Sequence, residues 1–190
     1  MIIRFVNESD INKIVKIHKV YLKKGLFSKF SERFLRSFYK VMLHDKGTIT
    51  YVLEDNNEIL GFITGSLNMS NLKVKIVQNL WFLLGIEVFV QPQVFIKVLK
   101  VNSYPSFKNI GQAEILSVVL VPKARGKGEG GKMIKQIISF FKYKGCKSII
   151  VSVRDNMQKA NKFYSKNGFK KVNQINFLGE EVNIWQFKIN

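Results

Sequence analysis

Residues 121–133, VPKARGKGEGGKM, place four glycines within six positions, directly behind a proline and an arginine. Glycine is costly inside regular structure, so this density marks backbone that bends sharply or approaches something closely. The flanks define the setting. Residues 113–121 form an apolar, β-branched run that predicts a strand, and Met133, Ile134, Ile137, Ile138 and Phe141 then recur at helical spacing up to Gly145. A strand that turns through glycines into a helix turns unpaired N–H groups and the positive end of the helix toward one spot. The loop is therefore built for an anion, and a phosphate is the first candidate.

Three phosphate-binding patterns overlap on this stretch. Gly126, Gly128 and Gly131 satisfy G-x-G-x-x-G, but a dinucleotide fold places that pattern in its first βαβ unit, with an acid ~20 residues on at a strand tip. Here several elements come first, and the next strand, 148–153, has no acid before Asp155. Gly126 to Lys132 also satisfy G-x-x-x-x-G-K. A P-loop needs Ser or Thr next to hold Mg²⁺, and this chain has Met133. Both patterns fail at the residue that carries their chemistry.

The third pattern fits. Arg125-x-x-Gly128-x-Gly130, after Val-x-Pro at a strand end and opening a helix, resembles motif A of the GNAT superfamily of acetyl-CoA-dependent N-acetyltransferases. Ala160-x-x-Phe163-Tyr164-x-x-x-Gly168-Phe169 resembles motif B of the same superfamily, at the spacing expected after motif A. The resemblance implies an α+β fold, a mixed, mainly antiparallel sheet flanked by helices, with residues 1–190 as a single domain. It also implies direct transfer of acetyl from acetyl-CoA to a primary amine, with no metal. The cofactor residues implied are Val118, Val119 and Leu120 on the strand. Arg125, Gly126, Lys127, Gly128, Glu129, Gly130, Gly131 and Lys132 follow in the loop and first turn, and Asn156, Phe163 and Tyr164 in the second motif. Two positions depart from the family pattern. Glu129 stands where an aliphatic residue is usual, beside an expected polyanion, and is harmless only if it turns away or pairs with Lys127 or Lys132. Met157 stands where an asparagine is usual, and Asn156 is one position early.

Direct transfer needs a neutral amine, a polarised thioester carbonyl and an acid for the departing thiolate. The resemblance assigns the acid to Tyr164, a phenol protonated at neutral pH; the alternative is a core aromatic on the Ala160/Phe163 stripe. Glu114 occupies a position where some family members place a catalytic base, and a carboxylate in so apolar a strand should have a raised pKa. A structural or edge glutamate is the other reading. A backbone N–H at residues 117–120, where the strand should splay from its neighbour, is the expected donor to the thioester carbonyl.

The rest of the chain reads as a strand from Ile2, caps at Asn7, Ser9 and Asp10, and a first helix reaching about Lys24. Ser31 opens a second helix, and strands 48–54 and 58–67 flank a turn at Asp55, Asn56 and Asn57. A helix over 156–167 stops at Gly168, and two closing strands turn near Gly179. His18 and His44 read as ordinary helix residues, and Cys146 as a structural thiol. Residues 70–105 are an apolar and basic insertion, read as helical pieces interrupted by Gly85 and Pro92. Packing on its own domain, a lid over the substrate pocket, a homodimer contact and peripheral membrane contact are all open to it.

The chain carries 31 Lys and Arg against 13 Asp and Glu, a net charge of +18. Such a field draws in anions and repels polyamines. It favours a small-molecule amine acceptor that is itself anionic, such as a nucleotide- or lipid-linked amino sugar. No aromatic and basic recognition motif points to nucleic acid. One cysteine and no secretory signal pattern suit a cytoplasmic protein, and two histidines with one cysteine make no metal cluster. The alternatives are a protein N-acetyltransferase and a catalytically idle GNAT-like module that binds an acyl-CoA.

Overall fold

The computed structural model describes residues 1–23, 27–90, 111–177 and 179–189. Strand β1 (Ile2–Phe5) leads through a short turn into helix α1 (Ile11–Tyr21). Asn7 and Asp10 cap that turn reciprocally: the Asn7 side chain accepts from the Asp10 N–H at 3.2 Å, and the Asp10 carboxylate from the Asn7 N–H at 2.9 Å. Ser31 starts α2 (Glu32–His44) by accepting from the Phe34 N–H at 3.1 Å. Helix α1 ends at Tyr21, three residues before the end the sequence predicts, and Lys24 lies outside the described residues.

Strands β2 (Thr48–Asp55) and β3 (Glu58–Ser66) form the expected hairpin. Its turn residues Asn56 and Asn57 both sit at positive φ, 47° and 63°, the tight-turn conformation that asparagine tolerates and that matches strand twist. Helix α3 (Met69–Val90) lies in the chain between β3 and strand β4 (Ala113–Leu120), which pairs with β3 in the sheet. Helix α4 (Glu129–Tyr143), strand β5 (Ser148–Arg154), helix α5 (Gln158–Lys166) and the hairpin β6 (Lys170–Phe177) and β7 (Glu180–Lys188) complete the described elements. The sheet order is β1-β2-β3-β4-β5-β7-β6, antiparallel throughout except for β4 and β5. This seven-stranded mixed sheet, flanked by five described helices, is the architecture the two motifs imply.

Both faces of the sheet are covered, so β2 and β3 read as continuous apolar runs rather than alternating ones. Val52, Phe62 and Val119 pack with Ile14, Val15, Phe34, Leu35 and Phe38 of α1 and α2. Leu53, Ile63, Ile115 and Ile149 pack on the other face with Met133, Ile134, Ile137 and Phe141 of α4.

Helix α3 corrects the sequence reading of 70–105. It runs unbroken through Gly85; a lone glycine costs only about 1 kcal/mol in a helix, and neighbouring contacts offset that. Leu80 is buried against α2, Glu87 accepts from the Ser31 N–H at 3.0 Å and from its hydroxyl, and Lys75 bonds Asp45 at the opposite end. These clamps hold α3 antiparallel to α2. Pro92, and the part of the insertion beyond Val90, lie outside the described residues.

Candidate active site

Strands β4 and β5 pair only at Ala113, Glu114 and Ile115, opposite Ile149, Ile150 and Val151. Beyond Ile115 no β5 residue stands opposite β4. On its other edge β4 stays paired with β3 up to Leu120, and the register slips by one residue there, with Thr64 opposite Ser117 and Gly65 opposite Ile115. Leu116 is thus the extra residue of a bulge, which bends the strand where it loses its parallel neighbour. The result is a wedge with the backbone of Leu116, Ser117, Val118, Val119 and Leu120 along one side. The parting falls where the sequence places the carbonyl donor.

The glycine loop lies at the end of that wedge, and its four glycines divide into two pairs. Gly126 and Gly128 take positive φ, 75° and 81°, and face open space, so a side chain there would strain the backbone though it would meet no neighbour. Gly130 and Gly131 instead lie inside the first turn of α4, and a Cβ would meet the Phe163 ring at 3.0 Å or the Asn167 amide oxygen at 3.2 Å. The first pair shapes the loop, and the second lets α4 approach α5. Helix α4 is capped by Gly128 with no side-chain bond, and its first helical bond runs from the Lys132 N–H to the Gly128 carbonyl. The N–H groups of Glu129, Gly130 and Gly131 therefore have no helical acceptor, as at any helix start.

Glu129 is buried, and its carboxylate accepts from Lys132 Nζ at 2.8 Å. Arg125 folds back: Nε donates to the Leu120 carbonyl at 2.8 Å, and the guanidinium lies 5.4 Å over the Tyr21 ring. Lys127 is exposed on the loop.

Tyr164 lies on the inward face of α5, edge-on to Phe163 and Phe169. Burial pushes its pKa above the ordinary tyrosine value, so the phenol stays protonated. Asn156 is exposed in the turn after β5, and Met157 is exposed at the helix start with no capping side chain. Asn161 organises that turn instead. Its amide donates to the carbonyls of Arg154, Asp155 and Met157 at 3.0 to 3.2 Å, and its oxygen accepts from Trp185 Nε1 at 2.9 Å and from Asn183 at 3.2 Å.

A buried polar chain meets β4 at the bulge from the other face. His18 Nδ1 lies 2.7 Å from the Tyr39 hydroxyl, Ser117 stands close enough to Tyr39 to offset part of the upward push of burial on its pKa, and Ser117 Oγ lies 2.8 Å from Thr64 Oγ1. Burial, with the Lys19 charge adding to it, lowers the His18 pKa to about 4, so the ring is neutral. His18 is thus a buried, neutral histidine of helix α1. Glu114 is half-buried in the still-paired part of β4, opposite Ser66 and Ile150, one residue before the strands part. His44 is exposed at the end of α2, in a shallow hollow of about 250 Å³ with Lys40, Asp45 and Lys75. Cys146 is buried, and burial raises its pKa, as a structural thiol requires.

A model of the Acetyltransferase (GNAT) family matches residues 14–169. The chain belongs to the GNAT acetyltransferase family. No curated protein matches it by sequence. Among solved structures it is similar to a ribosomal-protein-alanine N-acetyltransferase from Brucella melitensis, at 13% identity over 100% of each chain with a TM-score of 0.67. It is also similar to yncA of Salmonella typhimurium, described as an acetyltransferase and solved with its cofactor acetyl-CoA, at 15% identity over 100% of this chain and 94% of that one, TM-score 0.68. A mutant form of the spermidine/spermine N-acetyltransferase SpeG from Vibrio cholerae matches at 16% identity over 98% of this chain and 93% of that one, TM-score 0.61. At these identities the likeness is one of fold.

Within the GNAT frame the structure brings Val118, Val119, Leu120, Arg125 and the glycine loop to one end of the wedge, with Phe163 against Gly130. It leaves Asn156 in solvent and Glu114 in the paired base of the strand. Sequence reasoning missed Asn161, Tyr39 and Thr64. Tyr39 sits on the apolar stripe of α2 and Thr64 inside an apolar strand, and polar groups at buried positions were the signal available.

Proposed function

We propose that this GNAT protein transfers an acetyl group from acetyl-CoA to a primary amine by direct attack in a ternary complex. The observation that carries the reading is the parting of β4 from β5 after Ile115, with the bare start of α4 and the open Gly126 and Gly128 at its end. These features fit the group: the N–H groups of Glu129, Gly130 and Gly131, with the exposed Lys127 beside them, suit a pyrophosphate, and the free edge of Val118 to Leu120 suits an amide-bearing arm. Acetyl-CoA supplies the activated thioester. A backbone N–H of the β4 edge holds its carbonyl and stabilises the charge that develops on that oxygen. The amine nitrogen bonds the acetyl carbon as the C–S bond breaks. The amine proton passes to Glu114 or to water, and Tyr164 gives its proton to the thiolate sulfur.

The acceptor we favour is an amine carried on an anionic group, a nucleotide- or lipid-linked amino sugar, because a chain of net charge +18 repels polyamines such as spermidine. A protein amine is the alternative within the same chemistry. Glu129 is buried close to where phosphates would lie. Although its pairing with Lys132 offsets its charge, it withdraws a lysine from the cofactor, which favours a second reading, an idle module that binds an acyl-CoA weakly and transfers nothing. Release of free thiol from acetyl-CoA, measured against a panel of amino sugars, nucleotide-linked amino sugars, polyamines and peptides, tests these readings. Amine-dependent release supports transfer; binding of acetyl-CoA with no release from any amine supports the idle module.

A further inference from the structure

Helix α3 is apolar on two sides. Its inward side, Leu72, Ile76, Leu80, Leu83 and Leu84, packs on the α1 and α2 layer. Its outward side carries Val74, Val77, Trp81, Phe82, Ile86 and Phe89, all exposed, with the polar Lys75 and Gln78 among them. Trp81 is 68% and Phe89 88% exposed, far beyond what a water-facing helix ordinarily offers. The clamps at Ser31–Glu87 and Asp45–Lys75 fix which side faces out, so the stripe is a built feature. The only carboxylate on α3, Glu87, is turned inward to Ser31, so no acid stands among the exposed apolar residues of the helix.

We propose that the outward stripe of α3 docks onto an anionic lipid surface. The reading goes beyond acetyl transfer and does not depend on which amine is acetylated. Charge chooses the partner. Two copies of this chain meeting stripe to stripe would each bring a net charge of +18, which opposes the contact, whereas an anionic bilayer attracts that charge. No described helix is long and apolar enough to cross a membrane. The helix instead lies along the surface, with Trp81, Phe82 and Phe89 at the boundary between headgroups and acyl chains, where aromatic rings are favoured.

Sedimentation of the full chain with vesicles tests this. Binding should be about tenfold or more tighter to phosphatidylglycerol-containing vesicles than to phosphatidylcholine alone. The double substitution Trp81→Ser with Phe89→Ser should remove most of it, at unchanged melting temperature, because both side chains are exposed. Trp81 emission should move to the blue on adding vesicles, a signal assigned by its loss in Trp81→Phe. Failure of the wild type to sediment overturns the proposal, as does equal binding by the double variant. So does a concentration-dependent dimer that the double variant breaks. Shielding of Trp81 from acrylamide in the lipid-free monomer would mean that the chain covers the stripe itself, and would also overturn it. Thiol release in the absence of lipid is scored separately, so failure of one reading leaves the other standing.

Discussion

Glu129 accepts a hydrogen bond from Lys132 Nζ at 2.8 Å, one turn further along the first turn of α4. The pair places a carboxylate at the bare start of α4, and it occupies a lysine that could otherwise face a phosphate. Glu129→Ile should therefore tighten acetyl-CoA binding by up to about fivefold, since a screened charge contact is worth ~1 kcal/mol or less. The free protein should melt slightly lower, because an acid at a helix N-terminus is stabilising. Calorimetric titration across a salt series checks this. Unchanged or weaker affinity at every salt concentration would mean that Glu129 does not oppose the cofactor.

Gly128 caps α4 at φ 81° with open space where a Cβ would stand. Gly128→Val forces a β-branched side chain into that conformation, costing about 1–2 kcal/mol, and puts bulk against the incoming pyrophosphate. Coenzyme A should raise the melting temperature of the wild type, as any ligand that prefers the folded state does. Measured against each protein's own baseline, the variant should lose most of that shift. A full shift in the variant would remove the phosphate assignment from this loop.

His18 and Tyr39 predict a pH dependence. The buried ring has its pKa lowered to about 4, by burial first and the Lys19 charge second. Below its ordinary pKa of about 6.5 the unfolded chain binds a proton that the folded chain refuses, so stability falls as pH drops from about 6.5 toward 4. The loss attributable to this group is about 3 kcal/mol across that window. His18→Gln keeps a hydrogen-bonding group for Tyr39 but cannot titrate. Urea unfolding at several pH values should find the variant less stable at pH 7 and flatter between pH 4 and 6.5. Parallel pH curves for the two proteins would rule out His18 as the source.

The strand, glycine loop and helix of motif A were legible because each rests on local chemistry: an apolar run, residues able to take positive φ, and a stripe at helical spacing. The hairpin at Asn56 and Asn57 was legible for the same reason. Gly85 misled because one glycine in a helix is a small cost that long-range clamps at Asp45 and Ser31 override. The division of labour among the loop glycines was hidden as well, since it depends on Phe163 and Asn167, more than thirty positions away. The chain from His18 to Thr64 joins α1, α2, β3 and β4, and no spacing within one element encodes it.

Tyr164→Phe should lower turnover by roughly 10²-fold or less and leave cofactor affinity nearly unchanged. The ring is buried edge-on to Phe163 and Phe169, so phenylalanine keeps the packing and removes only the hydroxyl. General acid–base steps contribute about 10²–10⁴-fold, and the low end applies because a thiolate, with an ordinary pKa near ~8.5, leaves tolerably unaided. Burial holds the Tyr164 pKa above the ordinary value, so no loss of the acid form is expected below pH 10. Any alkaline fall in wild-type turnover should then belong to another group and persist in the variant. Turnover with a confirmed acceptor, read with the melting temperature, decides the matter. A variant that matches the wild type would return Tyr164 to the aromatic core, and the thiolate would take its proton from water.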